Sequence, residues 1–478
     1  MSMNLSYARI ACVGVALFVP CLGGPGSAQA QTADGTPITV YPRQVAPQAR
    51  QWQADALLQK ARQRGRIRVI VGLDVAMRDD GDLSPAEDAA QVQRLRRVQD
   101  GVARRSIVPA NRVVKYETVP FMSMLATRDQ LERLLNDPQV VSVQEDIPLR
   151  PFLSKSVPLI RANKLWRQGF RGNRQIVAVL DSGAQYAHPM LSGKIVAGLC
   201  RSGNATNGTS LCPGGVASSN ALNSGQNCSA ALDGCDHGTH VSSIAVGNSG
   251  SLKGVARRAN LIAGQVFSRI DDAATCSPDP APCIRASFTD INSALERIIR
   301  LARLLPASTG SRVASINMSL GGGEFNSACD ASLPATASLI NKLYRRGIAT
   351  VIASGNAGLN SGISSPACIS RAIAVGSTTK RDRVSLFSNH HDLVDLLAPG
   401  SRIKAAVLGG RMGVKSGTSM ATPHVAGAIA LLKNVRQQAK VNQILRALKK
   451  GVPVARAGVV KPRIDMVLAK TRLESLLP

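Results

Sequence analysis

The sequence is poor in aromatic side chains, and it lacks patterns that mark several other classes of protein. Only 3% of its 478 residues are aromatic, and it contains 2 Trp. This scarcity argues against a stacking surface for single-stranded nucleic acid, so no specific nucleic-acid partner is expected. No Cys-x-x-Cys pair occurs, which leaves a zinc ribbon or a thioredoxin-like site without support.

Acidic residues are also few. The 30 Asp and Glu oppose 58 Lys and Arg, which gives a formal net charge of +28. The excess is uneven: from Leu153 onward 39 basic and 15 acidic residues give +24, whereas residues 31–152 carry 18 and 15, which gives +3. Basic pairs such as Arg257-Arg258 and Lys449-Lys450 are scattered in sequence, so a solvated basic surface with weak attraction to anionic surfaces is predicted.

Hydrophobic runs of membrane-spanning length are missing as well. The run Ile10–Leu22 is too short to span a bilayer, and it leads to Ala28-Gln29-Ala30, the ending that a signal peptidase prefers. Residues 1–30 are therefore predicted to be a secretory signal peptide. A lipoprotein anchor at Cys21 is the alternative, which the neighbouring Pro20 disfavours. A secreted, extracellular protein is expected, with the periplasm or the cell surface as alternatives.

Eight cysteines follow this segment. An even number in an exported chain predicts disulfides rather than free thiols. Many pairings are open, but close spacing favours three of them and leaves the last two cysteines for each other. The favoured pairs are Cys200 with Cys212, Cys228 with Cys235, Cys276 with Cys283, and Cys329 with Cys368.

Residues 66–146 have an organisation of their own. Apolar residues alternate from Ile67 to Val75, which predicts a strand buried on one face. Capping boxes begin two helices, one at Ser84 with Glu87 and one at Thr127 with Gln130. With the strand-like runs 112–117, 121–126 and 140–143, the order is β-α-β-β-α-β, which predicts a small ferredoxin-like α+β domain.

From Leu153 onward, strand-like runs alternate with helical stretches, which predicts an α/β domain with a mostly parallel sheet. In such a sheet the chemistry gathers at the carboxyl ends of the strands. The strand-like runs are 175–180, 261–266, 313–319, 349–353 and 372–375.

Three motifs lie at junctions of these elements: IVAVLDSG with Asp181, DHGTHV with His237, and GTSMATPHVAG with Ser419. A serine hydroxyl becomes a nucleophile when a neutral imidazole takes its proton, and the imidazole needs a carboxylate on its other nitrogen. Asp181 is the predicted carboxylate because it ends a strand, whereas Asp236 adjoins His237 and would point elsewhere. Asp181, His237 and Ser419 are the predicted catalytic residues.

These motifs, with a fourth, ASGN, resemble the subtilisin family of serine proteases in residue type and in the order Asp, His, Ser. The resemblance spans roughly residues 66–450. It implies a subtilisin-like sheet flanked by helices in residues 153–478, preceded by a propeptide in residues 31–152 that acts as an intramolecular inhibitor. The implied activity is a secreted, self-matured, monomeric serine endopeptidase that hydrolyses peptide bonds in protein or peptide substrates.

The resemblance also implies roles around the triad. Asn356 resembles the side-chain amide donor of the oxyanion hole, and Ser354 and Gly355 precede it as substrate-binding residues. Ser319, Leu320 and Gly321 resemble the edge segment that pairs with an extended substrate backbone. His240 and His424 are interpreted as packing or hydrogen-bonding residues. The other three histidines are interpreted as surface residues: His188, His390 and His391.

The resemblance implies no cofactor for catalysis, and calcium is left unassigned. The segment from His237 to Ala256 is shorter than in well-known members, where a loop in this region holds calcium. No Asp or Glu lies between Asp236 and Asp271 to bind such an ion. Another calcium site could be assembled near three aspartates: Asp271, Asp272 and Asp279.

The segment Ile147–Ser154 is predicted to be extended, because Pro148 and Pro151 oppose a helix. Self-cleavage is predicted after Phe152 or Leu153, which would offer a large apolar side chain to the first pocket. Two other functions remain open: a catalytically weak protein that binds anionic surfaces, and a subtilisin-like peptide ligase.

Overall fold

The architecture is seen in a computed structural model, which describes residues 47–78, 83–146, 150–151, 158–250, 252–277 and 279–477. The predicted signal peptide and the predicted cleavage positions Phe152 and Leu153 lie outside the described residues. In the part of the chain that is described, no helix has both the length and the apolar character needed to cross a membrane.

Residues 47–146 form a small α+β unit, called here the N-terminal unit. Its elements are α1 (Pro47–Arg64), β1 (Ile67–Leu73), α2 (Pro85–Arg105), β2 (Val113–Lys115), β3 (Phe121–Ala126), α3 (Arg128–Asn136) and β4 (Val140–Glu145). The strands pair antiparallel in the order β2-β3-β1-β4. The predicted β-α-β-β-α-β order is present, and both predicted capping boxes form. Helix α1 precedes it and was not predicted.

The rest of the chain is a larger α/β domain. Its strands are β5 (Arg150–Pro151), β6 (Gln175–Asp181), β7 (Ile195–Arg201), β8 (Gly208–Ser210), β9 (Ser218–Ser219), β10 (Asn248–Ser249), β11 (Leu252–Lys253), β12 (Asn260–Gln265), β13 (Phe267–Ile270), β14 (Cys283–Ala286), β15 (Arg312–Met318), β16 (Leu320–Phe325), β17 (Ala349–Ala353), β18 (Ile363–Ser365), β19 (Ile373–Thr378), β20 (Leu396–Pro399), β21 (Ile403–Ala406), β22 (Met412–Lys415), β23 (Val452–Arg456) and β24 (Val459–Arg463). Its helices are α4 (Ala162–Arg167), α5 (His237–Val246), α6 (Ala273–Cys276), α7 (Phe288–Thr309), α8 (Pro334–Arg345), α9 (Thr418–Val435), α10 (Val441–Leu448) and α11 (Met466–Leu476).

A ten-stranded sheet organises this domain. Its order is β23-β24-β20-β19-β17-β15-β6-β12-β7-β9. The strands from β24 to β7 run parallel to one another, and the edge strands β23 and β9 are antiparallel to their neighbours. The predicted mostly parallel sheet, flanked by helices, is thereby confirmed.

Strand β6 is buried on both faces, and alternate side chains enter two different cores. Ile176, Ala178 and Leu180 pack with α7 and α8, whereas Val177 and Val179 pack with α5 and α9. A strand covered by helices on both faces reads as a continuous apolar run, as IVAVL does here. The polar Asp181 at its end therefore marks the point where the strand leaves these two cores.

The N-terminal unit packs against helices α7 and α8 of the larger domain. Tyr116 and Phe121 share an apolar core with residues of α7 and α8. The Glu296 carboxylate accepts hydrogen bonds from the backbone N–H groups of Glu117 (2.6 Å) and Thr118. On the same side, the Lys342 ammonium donates to the carbonyl oxygen of Thr118 at 2.9 Å.

All four predicted disulfides are present: Cys200–Cys212, Cys228–Cys235, Cys276–Cys283 and Cys329–Cys368. Three of them close short loops with sequence separations of 12, 7 and 7 residues, and the fourth spans 39 residues. The long bridge fastens the segment before α8 to the segment before β19.

Removing the long bridge by replacing Cys329 and Cys368 with Ala is expected to lower the free energy of unfolding by about 4 kcal/mol. The same change at Cys276 and Cys283 is expected to lower it by about 2.5 kcal/mol, because a shorter loop restricts the unfolded chain less. Urea unfolding of the two double variants, in a background without protease activity, measures the difference. Equal losses would contradict the chain-entropy argument.

Candidate active site

A histidine and a carboxylate meet at the carboxyl edge of the large sheet. Asp181 ends β6 and His237 begins α5, and both side chains are fully buried. The distance from His237 Nδ1 to Asp181 Oδ1 is 2.6 Å, and the backbone N–H of Ser182 donates to the same oxygen at 2.8 Å. Asp236 instead pairs with the Lys415 ammonium at 2.6 Å. Asp181 is thus the carboxylate that contacts the imidazole.

Ser419 is the second residue of α9, a helix that packs against α5. Its hydroxyl donates to the carbonyl oxygen of Ser319 at 3.1 Å, and the Ser319 hydroxyl donates back to the carbonyl oxygen of Ser419 at 2.6 Å. This reciprocal pair fixes the start of α9 against the end of β15. The first turn of a helix presents free N–H groups and the positive end of the helix dipole, which favour negative charge beside Ser419.

The side chain of Asn356 is held in one orientation next to Ser419. Its Oδ1 accepts hydrogen bonds from the Thr418 backbone N–H at 2.8 Å and from the Thr418 hydroxyl at 2.9 Å. A backbone N–H is only a donor, so the amide oxygen must face Thr418 and the amide nitrogen must face away. No acceptor among the described residues contacts that nitrogen. A donor is therefore available at the edge that carries Ser419.

The loop that presents Asn356 depends on a glycine. Gly355 has φ +110°, and a Cβ atom there would lie 2.3 Å from Asn389 Nδ2 and 2.4 Å from Ser364 Oγ. Any other residue would therefore clash and would strain the backbone. Beside it, the Ser354 hydroxyl donates to the carbonyl oxygen of Asn389 at 3.0 Å.

Two residues that the sequence analysis did not identify brace this loop. The Asn389 amide donates to the Ser354 carbonyl at 3.1 Å and accepts from the N–H groups of Ala357 and Leu359. The Arg456 guanidinium, from the β23–β24 hairpin, hydrogen-bonds Asn360 Oδ1 and the carbonyl oxygens of residues 358, 359, 385, 386 and 388. Neither residue lies in a recognisable motif, and Arg456 is far from the loop in sequence.

The edge segment predicted to bind substrate already carries a paired strand. Leu320 and Gly321, at the start of β16, pair antiparallel with Pro151 and Arg150 of β5. On its other side β16 pairs with β18. The chain's own segment between the N-terminal unit and the larger domain thus lies along this edge as a short strand. Ser319 lies just before the pairing and contacts Ser419.

The interpretation of the histidines was partly wrong. His188 and His390 were expected at the surface, but both are buried. Their Nε2 atoms lie 3.0 Å from the carbonyl oxygen of Arg411 and 2.9 Å from that of Val459, so backbone hydrogen bonding made burial favourable. His240 and His424 are buried as interpreted. Burial lowers the pKa of His240 to about 3, which keeps this imidazole neutral near His237.

The acidic residues considered for calcium have other partners. Asp271 pairs with Arg269, Asp272 caps helix α6 through the N–H of Thr275, and Asp279 pairs with Arg285. Within the described residues, no group of three or more His, Cys, Asp or Glu side chains could hold a metal ion. These aspartates therefore do not assemble into a site.

The chain is similar in sequence to one protein family and to several of its members. A profile of the subtilase family matches residues 172–459. The chain is 30% identical over 341 residues to an alkaline protease of Alkalihalobacillus alcalophilus, which covers 70% of the chain and 74% of the relative. It is 32% identical over 318 residues to subtilisin E of Bacillus subtilis, which covers 64% of the chain and 69% of the relative. The major intracellular serine protease of B. subtilis is 29% identical over 292 residues, which covers 60% of the chain and 76% of the relative.

Proposed function

The chain belongs to the subtilase family and is a subtilisin-type serine endopeptidase, and from that premise we propose that Asp181, His237 and Ser419 form its catalytic triad. The observation that carries the proposal is the buried 2.6 Å contact between His237 Nδ1 and Asp181 Oδ1 at the sheet edge where α9 presents Ser419. Catalysis in this family needs no cofactor, and its substrates are proteins or peptides.

In the proposed mechanism, the Asp181 carboxylate accepts a hydrogen bond from the Nδ1–H group of His237. The proton stays on Nδ1, so the unprotonated Nε2 can act as the base. His237 Nε2 takes the hydroxyl proton of Ser419 while the serine oxygen attacks the scissile carbonyl carbon. The imidazolium then returns that proton to the leaving amine, which yields an acyl-enzyme. Water deacylates the enzyme by the same proton route in reverse.

Negative charge develops on the carbonyl oxygen during both steps. The Asn356 amide nitrogen, turned away from Thr418, is proposed to donate to this oxyanion together with backbone N–H groups at the start of α9. Such donors are most effective when they are already fixed, because no reorganisation is then needed during the reaction. The hydrogen bonds that Asn389 and Arg456 make with the loop around Asn356 hold it in place.

The N-terminal unit is proposed to be a propeptide that inhibits the enzyme after self-cleavage. Two observations support this role: the unit packs on α7 and α8, and the strand that follows it, β5, occupies the edge at Leu320 and Gly321. A peptide that adds a strand to this edge resembles a product still bound to the enzyme. Cleavage after Phe152 or Leu153 remains the proposed position.

Export is proposed on the signal-like sequence of residues 1–30 and on the four disulfides, which persist in oxidising compartments. The relatives include one named as intracellular, so family membership alone leaves the compartment open. Fractionation of the producing cells and their medium, with an antibody to the catalytic domain, tests export. Retention of an uncleaved chain in the cytoplasm would refute it.

A serine-reactive phosphonate tests the triad directly. Mass spectrometry of the labelled protein should place the adduct on Ser419, and the His237→Ala variant should label far more slowly because its serine lacks a base. Amino-terminal sequencing of the same active protein should begin at Leu153 or Ser154. Peptide products larger than their substrates would favour the ligase alternative instead.

Replacing Asn356 with Ala is expected to lower kcat by about 100- to 1,000-fold and to leave KM nearly unchanged, because its amide binds charge that develops only during the reaction. Steady-state kinetics on a chromogenic peptide measures both constants. Asn442→Ala is the matched control: it removes an exposed amide from α10, where its oxygen accepts from the neighbouring Gln443 N–H and takes no part in bracing the Asn356 loop. A loss confined to KM would make Asn356 a substrate-binding residue.

Docking of the N-terminal unit is expected to weaken as the pH rises. The Asp146 carboxylate, at the end of β4, accepts hydrogen bonds from Phe288 and Thr289 at the start of α7. Burial is the main cause that raises its pKa to about 7, and burial raises the pKa of Asp290 to about 6. Arg68, Tyr116 and Glu296 face the same region.

The pKa of Asp146 is lower when the unit is undocked than when it is docked, which sets the direction of the pH dependence. An exposed aspartate has a pKa of about 3.9, well below the pKa of Asp146 in the docked unit. Docking therefore favours the protonated carboxyl group. That contribution is full below about pH 4 and is lost as the pH rises past the docked pKa near 7. Gel filtration of processed enzyme should show the unit bound at pH 5 and released at pH 9, with at least about ten-fold weaker affinity. Asp146→Asn should flatten this dependence, and Asp137→Asn, whose partner Arg105 lies within the unit, should preserve it.

A further inference from the structure

Basic side chains are aligned along the amino edge of the large sheet, opposite the edge that carries Asp181 and Ser419. Four neighbouring strands, β15, β6, β12 and β7, begin beside them. These side chains are called here the basic row: Arg174 immediately before β6, Lys194 immediately before β7, Arg257 and Arg258 just before β12, and Arg312 as the first residue of β15. They are distant in sequence, and only the fold brings them together.

Backbone contacts confirm that members of the row are neighbours in space. The Arg312 N–H donates to the carbonyl oxygen of Arg174 at 3.1 Å. The Lys194 ammonium donates to the carbonyl oxygen of Arg257 at 2.8 Å. Arg257 also lies over the Trp166 ring, 4.9 Å from its centroid. The row is therefore a built feature with fixed backbone, and part of it is stacked on an aromatic ring.

The charge of the row is not neutralised. Among the residues that the structure describes, no Asp or Glu forms an ion pair with any of its members, whereas arginines elsewhere have carboxylate partners, such as Arg161 with Asp465 and Arg463 with Asp382. Burial and the nearby charges of Arg171 and Arg258 lower the pKa of Arg257. Like charges held together oppose folding, so stability does not explain the arrangement.

The row has the dimensions and chemistry of a site for a linear polyanion. Neighbouring strands lie about 4.8 Å apart, so four strands extend the row over about 14 Å. Guanidinium groups, which form four of its five members, bind phosphate oxygens in pairs. A bilayer would need apolar anchors as well. The large apolar residues exposed among the described ranges are not members of the row and do not adjoin a member in sequence: Ile107, Val216, Leu222, Leu304, Leu386, Val414, Val460 and Leu468.

We propose that the basic row binds a linear phosphate-bearing polymer and tethers the enzyme to it. Because the row lies at the amino edge of the sheet, the bound enzyme keeps its catalytic edge open to substrate. Binding at the row requires neither the triad nor propeptide cleavage, so this proposal and the proposed function fail independently.

The test uses the full chain with Ser419→Ala, which prevents self-digestion, and inorganic polyphosphate as the probe. The triple variant Arg174→Gln, Arg258→Gln, Arg312→Gln removes three exposed charges of the row. The control triple variant Lys380→Gln, Arg381→Gln, Arg383→Gln removes three exposed charges from the loop after β19, at the opposite edge. Binding is measured by fluorescence anisotropy over a series of salt concentrations.

The row variant is expected to bind polyphosphate at least about ten-fold more weakly, and the slope of log K against log salt should fall by about two to three. The control should change affinity by less than about two-fold. Equal losses in both variants would show that only net charge matters and would overturn the proposal. So would binding to phosphatidylglycerol vesicles without binding to polyphosphate, which would make the partner a membrane.

Discussion

Ser419→Ala is expected to lower kcat/KM on a peptide substrate by about a million-fold, because the variant lacks the proposed nucleophile and therefore cannot form an acyl-enzyme. The structure explains why no neighbouring hydroxyl should replace it. The Ser319 hydroxyl is committed to the carbonyl oxygen of Ser419, and the Thr418 hydroxyl is committed to Asn356. The same variant should accumulate as an uncleaved precursor in a protease-deficient host, since the proposed cleavage is made by the chain itself.

Ser416→Ala is the matched control for this experiment. It removes an exposed hydroxyl three positions before Ser419 and should leave activity and processing near those of the parent. More than about one hundredth of parental activity in Ser419→Ala would remove Ser419 from the nucleophile role. A mature amino terminus in that variant would show that another protease makes the cut.

Asp181→Asn is expected to lower kcat by about ten-thousand-fold while the fold is retained. Asp181 Oδ1 accepts both the Nδ1–H of His237 and the N–H of Ser182. An amide in this place can accept through its oxygen, but it carries no charge to stabilise the imidazolium. It can also turn its nitrogen toward His237 and favour the wrong tautomer. The pH profile of kcat and circular dichroism of the variant separate a catalytic loss from unfolding.

Asp236→Asn provides the comparison, because Asp236 is the other carboxylate beside His237 in sequence. Its carboxylate forms a partly buried ion pair with the Lys415 ammonium and does not contact the imidazole. Activity within about ten-fold of the parent is therefore expected. If Asp236→Asn caused the larger loss, the assignment of the triad carboxylate would be wrong.

The sequence predicted the architecture well because its signals are local. The apolar run before Asp181 predicts a buried strand, the capping boxes at Ser84 and Thr127 predict helix starts, and short spacing predicts three of the disulfides. Each of these features depends on a few consecutive residues. The observed strands and caps therefore follow the predicted ones to within a few residues.

The residues that escaped sequence analysis act over long distances. Asn389 and Arg456 brace the Asn356 loop through backbone carbonyls and N–H groups, which leave no pattern in the sequence. His188 and His390 were placed at the surface because polar side chains usually lie there, and backbone carbonyls from Arg411 and Val459 overrode that tendency. The basic row was not predicted for the same reason: its members are far apart in the sequence, and only the pairing of the strands brings them together.

The place of Arg456 along the chain determines when the catalytic edge can become ordered. Ribosomes make a polypeptide from its amino end, so Asp181, His237 and Ser419 are all synthesised before Arg456. Until β24 emerges and pairs with β20, the loop after Asn356 lacks the hydrogen bonds that Arg456 provides. A nascent chain can therefore contain all three proposed triad residues while the loop of the proposed oxyanion donor, Asn356, still lacks these hydrogen bonds. The proposed active site is thus completed only late in synthesis.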